Sequence, residues 1–211
     1  MTEGKNVLLY WDDNDPPSSV RAVVRDWEQA CPTSRVALFS KGSAESFLRE
    51  NFGQEISRMF MSCAIPAMRS DFFRVFWALS EGGLYSDLTF APRNDPDFYK
   101  VDKRITVARW FHGRVVNGVF FARKDCPELK LVAYEILRNV SMKTHNSVWL
   151  ATGPGAWIKA LGQEETTTMA IIEFDDLFEK HLRRSGYESS TRDTNDHWSV
   201  REKTEKIFLD G

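Results

Sequence analysis

Residues 65–89 carry the pattern that most restricts the fold of this chain. Within them apolar side chains recur every three or four residues, which is the spacing of one buried helix face. The stripe consists of Ile65, Met68, Phe72, Val75, Phe76 and Leu79. Gly82 and Gly83 follow, and the second is suited to the left-handed conformation that ends a helix. Residues 84–90 then alternate as strand residues do, so the segment predicts a helix, a glycine stop and a strand in succession.

The rest of the chain repeats this alternation of strands and helices. Strands are predicted by short apolar runs, and helices by apolar residues at helical spacing. The predicted strands are residues 6–11, 35–39, 105–108, 115–121 and 169–172; the predicted helices are residues 17–30, the stretch after a break at Gly42 through Phe52, and residues 127–139, 156–161 and 200–209. Such alternation is typical of an α/β domain with a mostly parallel sheet.

Composition excludes several classes of function for this α/β chain. The 211 residues suit a single domain, and 28 basic against 30 acidic residues leave no basic excess for binding nucleic acid. The 3 cysteines form no C-x-x-C pair, which argues against a disulfide framework or a zinc knuckle. No apolar run has the length of a membrane span and no secretion signal opens the chain, so we expect a cytoplasmic protein.

Common catalytic and cofactor motifs are missing from the sequence. It contains no G-x-G-x-x-G, G-x-x-x-x-G-K-[ST], H-E-x-x-H or G-x-S-x-G, and its 4 histidines are not paired at metal-ligand spacing. A dinucleotide site, a P-loop and a zinc protease are therefore unsupported.

One stripe of the helix predicted over residues 65–80 carries charge. Asp71 and Arg74 lie on it between the small residues Ala67 and Ala78. Spacing alone favours a surface ion pair, because pairs three residues apart on a helix are common and contribute little. The alternative is a ligand site, in which the small neighbours leave room for a molecule held by both charges.

Asp87 and Thr89 are predicted to lie on one face of the strand that follows. Carboxyl ends of strands are where α/β sheets bind ligands, and oxygen atoms of this kind suit Mg²⁺ or Mn²⁺. A solvated strand end remains an equal alternative for Asp87. The other acidic clusters predict turns, caps or solvated loops: Asp12, Asp13 and Asp15; Asp95-Pro96-Asp97; and Asp175-Asp176.

These residues resemble a known family. The block of Ala67, Ser70-Asp71, Arg74, Leu79, Gly82-Gly83, Tyr85 and Asp87 is similar to the one that marks the DXD sugar-binding-region glycosyltransferases. That family includes fungal mannosyltransferases and bacterial capsule and lipopolysaccharide enzymes, and clostridial glucosylating toxins carry a related version. Weaker similarity continues at Tyr10-Trp11 with Pro16-Pro17, at residues 117–121, and at Thr152-Gly153-Pro154.

The resemblance implies a fold, an activity and a set of site residues. The fold would be GT-A-like, a mixed and mostly parallel sheet flanked by helices. The activity would be metal-dependent transfer of a sugar, with retention of configuration, from a UDP- or GDP-sugar to a saccharide or glycolipid acceptor, with Mn²⁺ or Mg²⁺ as cofactor. The implied catalytic residues are Asp71, Arg74 and Asp87; the donor-binding residues are Tyr10, Trp11, Asp71, Arg74, Gly83, Tyr85, Ser86, Asn117, Gly153, Pro154 and Trp198; the metal ligands are Asp87, Thr89 and His197.

The resemblance also implies a division of the chain. Residues 1–184 would form the catalytic domain, and residues 185–211 a mobile loop and short helix that closes over the donor. Most aromatic residues, such as Phe72, Phe76 and Phe120, are predicted to be core, whereas Trp11 and Trp198 are expected at the donor.

Thr89 is the one departure from the family pattern at the metal motif. The family has an aspartate at this position, and a neutral hydroxyl is a weaker metal ligand than a carboxylate. Two functions therefore remain open: an active enzyme, predicted to serve surface-polysaccharide synthesis, and a catalytically weakened relative that binds nucleotide sugars or regulates. A plain interaction domain would bind no nucleotide at all.

Overall fold

A six-stranded mixed sheet forms the centre of the protein, for which a computed structural model describes residues 6–98, 102–110, 113–187 and 198–209. The strand order is β2-β1-β3-β6-β5-β7, with three parallel pairings and two antiparallel ones, both made by β6. A separate ribbon pairs β4 with β8. The strands are β1 Asn6–Tyr10, β2 Arg35–Phe39, β3 Gly83–Ser86, β4 Phe90–Pro92, β5 Ile105–Arg109, β6 Val115–Ala122, β7 Met169–Glu173 and β8 Leu182–Arg184.

Helices cover both faces of this sheet. They are α1 Ser18–Ala30, α2 Lys41–Phe52, α3 Gln54–Ser62, α4 Pro66–Glu81, α5 Pro127–Met142, α6 Val148–Ala151, α7 Pro154–Leu161, α8 Phe174–Lys180 and α9 Trp198–Thr204. Helices α2 to α7 supply the core on one face, and α1 and α8 supply the core on the other. The expected α/β fold, a mostly parallel sheet flanked by helices in a single domain, is confirmed.

The apolar stripe of α4 lies at the centre of the larger core. Phe72, Phe76 and Phe120 are all buried, as predicted, and Phe72 stacks on Phe76 with ring centroids 4.7 Å apart. Burial of each such side chain contributes about 1.5–3 kcal/mol relative to exposure. Pro66 occupies the first turn of α4, where its missing N–H costs no hydrogen bond.

Two consecutive glycines end α4 and start β3. Gly82, at φ 67°, is the C-cap residue, so Gly83 holds the predicted C′ position, although its φ is larger than the left-handed helical conformation requires. Gly83, at φ 128°, lies so close to β1 that a Cβ would collide with the carbonyl oxygen of Asn6. Gly83 therefore permits the pairing of β3 with β1.

Several sequence predictions at element ends are wrong. The strand predicted over 84–90 is interrupted, since β3 ends at Ser86 and β4 begins at Phe90. Gly42 lies inside α2, whose first turn is stabilised by the side chain of Ser40. Asp15 pairs with Arg21 instead of capping α1. Residues 54–62 form α3, a helix that was not predicted from the sequence.

The last described residues pack back onto α3. The predicted final helix covers only residues 198–204, and the chain then runs antiparallel to the end of α3. Two backbone hydrogen bonds of 2.9 Å fix it, from Ala64 to Ile207 and from Leu209 to Ser62. No helix in the described ranges has the length and apolar character that crossing a membrane requires.

Candidate active site

Asp71 is the most enclosed acidic side chain of the predicted site. It extends from α4, is 7% exposed, and receives hydrogen bonds from two other elements as well as from α4 itself. The side-chain amide of Asn117 donates to its Oδ1 at 2.9 Å, and the hydroxyl of Thr152 donates to its Oδ2 at 3.2 Å. Arg74 Nη2 lies 3.1 Å from Oδ1. The first turn after α6, strand β6 and helix α4 therefore meet at one carboxylate.

Arg74 joins Asp71 to the second carboxylate. Its Nη2 lies 3.1 Å from Asp71 and 3.2 Å from Asp87, and its guanidinium lies 4.1 Å above the ring of Tyr85. Its Nη1 donates to the carbonyl oxygen of Asn117 at 2.7 Å, its Nε donates to the carbonyl oxygen of Ser70, and its Nη2 also donates to the hydroxyl of Ser70. With a side chain only 5% exposed, Arg74 is committed to these partners. The prediction of a surface ion pair, which the spacing favoured, is therefore wrong, because the Asp71–Arg74 pair is buried.

Asp87 is the member of this cluster that reaches solvent. Its side chain is 36% exposed, and its Oδ1 accepts a hydrogen bond of 2.6 Å from the hydroxyl of Tyr85. Its Oδ2 passes over Gly118, where a Cβ would lie 2.7 Å away. Gly118 thus leaves the space through which this carboxylate extends beyond the carboxyl end of β3.

The protonation of the cluster is set by burial and charge. Burial raises the pKa of Asp71 to about 6; the nearby Asp87 charge adds to this, and Arg74 opposes it. Burial also raises the pKa of Tyr85 well above its usual range, so that its phenol stays neutral and donates to Asp87. A buried carboxylate with a pKa near neutrality is a common sign of a functional site.

Replacing Asp71 by asparagine should stabilise the fold at high pH. The folded-state pKa of about 6 exceeds the usual 3.8, so the contribution of Asp71 is present at low pH and is lost as the pH rises through about 6. An asparagine removes the charge, and its oxygen still accepts from Asn117 while its amide can donate to the hydroxyl of Thr152. The free energy of unfolding of this variant should therefore exceed that of the unmodified protein by up to about 3 kcal/mol at pH 8. Urea unfolding at pH 5 and pH 8 measures the difference.

The fully exposed Asp102→Asn variant is the control for that comparison and should unfold like the unmodified protein at both pH values. A loss of stability in Asp71→Asn at pH 8 would mean that the ion pair with Arg74 outweighs the burial of the charge.

Thr89 occupies a turn instead of a strand face. The turn of residues 87–89 is closed by a hydrogen bond of 3.0 Å from the N–H of Phe90 to the carbonyl oxygen of Asp87. The predicted alignment of Thr89 with Asp87 along one strand is therefore wrong, because β3 has already ended. Thr89 also accepts a backbone hydrogen bond of 2.9 Å from Ser185, which ties this turn to the end of β8.

The oxygen atoms near this turn fit a divalent cation that is bound partly by the protein and partly by phosphate oxygens of a ligand. Mg²⁺ and Mn²⁺ commonly bind through one or two carboxylates together with substrate phosphates. The Asp87 side chain is partly exposed beside Gly118, and Thr89 carries a hydroxyl two residues further along the chain. Among the described residues no three His, Cys, Asp or Glu side chains are grouped to hold a metal, and His197 lies outside them.

The residues expected at the nucleoside lie where β1 ends. Tyr10 is buried, packs on Phe73 at 6.0 Å and donates to Asp12 at 2.7 Å. Trp11 is half-buried, lies edge-on to Tyr187 at 5.6 Å, and its indole nitrogen has no hydrogen-bond partner in the part of the chain that the structure describes. A buried hydrogen-bond donor without an acceptor costs free energy, so a ligand that accepts a hydrogen bond from this N–H would fit here.

The other expected donor residues are placed as follows. Ser86 is fully buried and its hydroxyl bonds to the carbonyl of Asp87, whereas Gly83 serves the pairing of two strands. Gly153 and Pro154 follow Thr152 at the start of α7, beside Asp71. Trp198 begins α9, but its side chain, like His197, lies outside the described part of the chain.

Sequence reasoning missed an ion pair between Asp12 and Arg69. Arg69 donates to both oxygens of Asp12 at 2.7 and 2.6 Å, and to the carbonyl oxygens of Cys63 and Ala64. These bonds hold the pKa of Asp12 below its usual range although burial would raise it. The expectation of a solvated Asp12 is wrong, because Arg69 is almost buried and needs a counter-charge. The sequence did contain one signal for this ion pair, namely a basic residue, Arg69, among the apolar residues of a predicted helix.

Ser70 and Thr152 were also missed as functional residues. Both stood in the segments that carried the family resemblance, but no role was assigned to them. Ser70 bonds to Arg74 and to the hydroxyl of Tyr85 at 2.9 Å, and Thr152 bonds to Asp71.

Comparisons with known proteins agree with this architecture. Residues 17–105 match the family described as "Glycosyltransferase sugar-binding region containing DXD motif". The chain is 28% identical to the initiation-specific alpha-1,6-mannosyltransferase of Schizosaccharomyces pombe, over 72% of this chain and 47% of that protein. It thus spans about half the length of this curated relative. The solved structure of the PaToxG glycosyltransferase superposes with a TM-score of 0.55 at 15% identity, covering 75% of this chain and 68% of that one.

The fold and the sequence match both lead to glycosyltransferases as the proteins that this chain resembles. The helix-flanked sheet has the fold of the PaToxG glycosyltransferase. Residues 17–105, which include Asp71, Arg74 and Asp87 and make up less than half of the chain, match the DXD-motif family of glycosyltransferase sugar-binding regions.

Proposed function

We propose that the protein is a retaining glycosyltransferase that moves a sugar from a UDP- or GDP-sugar to a saccharide or glycolipid acceptor. The observation that carries this proposal is the buried Asp71–Arg74 pair, which holds the half-exposed Asp87 at the carboxyl end of β3. Retention of configuration rests on the resemblance to the family.

The reaction exchanges one bond at the anomeric carbon for another. The bond from that carbon to the diphosphate oxygen breaks, and a bond to the acceptor oxygen forms. The acceptor proton leaves with the departing nucleoside diphosphate. In this proposal Asp71 would accept hydrogen bonds from hydroxyls of the sugar donor, and Arg74 would act by holding both carboxylates, as its contacts with Asp71 and Asp87 support.

Asp87 and Thr89, with His197 as a further ligand, would hold the Mn²⁺ or Mg²⁺. When bound, such an ion neutralises charge that develops on the leaving diphosphate. Asp87 supplies the charged oxygen for this purpose, and Tyr85 orients it by donating to its other oxygen. Trp11 and Tyr10 would flank the nucleoside at the end of β1.

The compartment and pathway form part of the same proposal. Cys31, Cys63 and Cys126 form no disulfide with one another, which is compatible with a reducing compartment such as the cytoplasm. We assign the activity there to surface-polysaccharide synthesis.

A catalytically weakened relative is the second candidate, and Thr89 is the observation that favours it. Thermal unfolding with UDP- and GDP-sugars, with and without Mn²⁺, followed by a donor-hydrolysis assay, separates the candidates. A ligand that binds only the folded protein raises its melting temperature. Binding with turnover supports the enzyme, binding without hydrolysis or transfer supports the weakened relative, and no binding contradicts both.

Replacing Thr89 by aspartate should tighten metal binding in the donor complex. The new carboxylate adds a charged oxygen in the turn that already carries Asp87, and we expect Mn²⁺ to bind about tenfold more tightly. Isothermal titration of Mn²⁺ in the presence of donor measures this change. The matched control is Asp97→Asn, in the exposed D-P-D turn beside His181, which should leave the affinity unchanged. An unchanged affinity in Thr89→Asp would remove position 89 from the metal site.

A further inference from the structure

Trp149 differs from the other tryptophans whose side chains the structure describes. Trp27, Trp77 and Trp157 are buried in the two cores, and Trp11 and Trp110 pack against one of them. Trp149 alone among these belongs to neither core and is only half-buried. An indole is costly to leave partly in water, so its position calls for an explanation other than core packing.

The indole packs closely against the backbone at the start of α7. A Cβ at Gly155 would lie 2.6 Å from two carbon atoms of the ring, and one at Gly153 would lie 3.0 Å from the Cα of Trp149. Both glycines are therefore needed for this approach. The ring is thus fixed in one orientation by the Gly153-Pro154 turn.

Arg114 lies over the Trp149 ring. Its guanidinium carbon is 5.9 Å from the ring centroid, which is at the outer limit of a cation–π contact. Arg114 is exposed, and its guanidinium makes no hydrogen bond or ion pair with any residue of the described ranges. The half-buried ring and the exposed guanidinium therefore border the same space at the surface of the protein.

This space adjoins the reacting groups on the side away from β1. Strand β6 pairs with β3 only as far as Ser86 and Val119, and its first residues continue past the carboxyl end of β3. Arg114 precedes β6 by one residue and is three residues, or about 10 Å, from Asn117. Trp149 is three residues, or about 4.5 Å along a helix, from Thr152. Asn117 and Thr152 both donate to Asp71.

The sheet order separates this space from the expected nucleoside position. Strand β3, which is followed directly by Asp87, lies between β1 and β6. Trp11 follows β1, whereas Arg114 and Trp149 lie on the β6 side. A donor that runs from Trp11 to Asp87 would present its anomeric carbon toward Arg114 and Trp149.

We propose that Trp149 and Arg114 bind the saccharide acceptor. One pyranose ring stacks on the indole face, whose negative quadrupole attracts the C–H groups of the sugar, and the guanidinium donates hydrogen bonds to its hydroxyls. This inference rests on the proposed function and specifies the acceptor end of the same site.

Saturation-transfer NMR tests the assignment with the methyl glycosides and disaccharides of mannose, glucose and galactose, each added to the protein with nucleoside diphosphate and Mn²⁺. At least one saccharide should bind, and Trp149→Ala should weaken that binding about tenfold or more. Trp149→Phe, which keeps an aromatic face, should stay within about threefold. Arg114→Ala, at an exposed position where folding is not at risk, should weaken binding about threefold to tenfold.

Donor affinity distinguishes the possible failures. The affinity for the UDP- or GDP-sugar should be the same in all these variants and in the control Arg25→Ala, an exposed arginine on α1 across the sheet. Donor binding without any saccharide signal, or with a saccharide signal unchanged in both Trp149→Ala and Arg114→Ala, overturns the acceptor assignment alone. Absence of donor binding in the unmodified protein overturns the proposed function instead.

Discussion

Asp87→Asn should lower donor turnover by about 10³-fold while leaving the fold intact. The asparagine still accepts the hydrogen bond of Tyr85, but it removes the charged oxygen that reaches solvent past Gly118. Loss of one electrostatic group aimed at the reacting centre costs about 10²- to 10³-fold in other enzymes, and here a metal ligand is lost as well. Hydrolysis and transfer assays measure the turnover, and thermal unfolding checks the fold.

The control for Asp87→Asn is again Asp97→Asn, which removes a carboxylate from the second D-x-D sequence of the chain. That variant should keep full turnover, since Asp97 lies beside His181 and not in the Asp71–Arg74 cluster. Turnover of Asp87→Asn within about threefold of the unmodified enzyme would contradict the site assignment.

Arg74→Met should destabilise the fold by about 3–5 kcal/mol at pH 8. It leaves Asp71 and Asp87 without their shared counter-charge, and removing one partner of a buried ion pair is strongly destabilising. Asp71 already has a raised pKa, so it becomes neutral as the pH falls toward 5, and the deficit should shrink over that interval. Urea unfolding of variant and unmodified protein across pH 5–8 provides the measurement.

The double variant Arg74→Met, Asp71→Asn separates charge from packing. If the uncompensated carboxylate causes the loss, the second substitution should recover much of it, and the two changes should be non-additive. A loss below about 1 kcal/mol in Arg74→Met, or full additivity in the double variant, would show that Arg74 does not hold the cluster together.

The sequence predicted those parts of the fold that local pattern determines. The stripe from Ile65 to Leu79 produced α4 within one residue at each end, because its periodicity and Pro66 act locally. The interruption of the strand after Ser86 was missed, because the turn at Asp87 depends on a bond to Gly118 from another strand. Asp175 and Asp176 do lie in the first turn of a helix, as their pattern indicated.

Partners across the chain explain why the site was only partly predictable. The contiguous sequence block that resembles the family identified Asp71, Arg74 and Asp87. The hydrogen-bond donors to Asp71, however, lie 46 and 81 residues away from it in the sequence. Spacing within α4 could not show that the pair is buried, since burial depends on β6 and the Thr152 turn packing above it. Arg69 was passed over for the same reason, because its partner Asp12 lies 57 residues upstream.

The Asp12–Arg69 ion pair has a consequence for donor length. It connects the loop that follows Trp11 to the first turn of the helix that carries Asp71, with two hydrogen bonds of 2.7 and 2.6 Å. The distance between the nucleoside end and the sugar end of the proposed donor site is thereby fixed before any donor binds. The proposed site would therefore select donors by the number of phosphates between base and sugar, because a nucleoside monophosphate sugar could not occupy both ends at once.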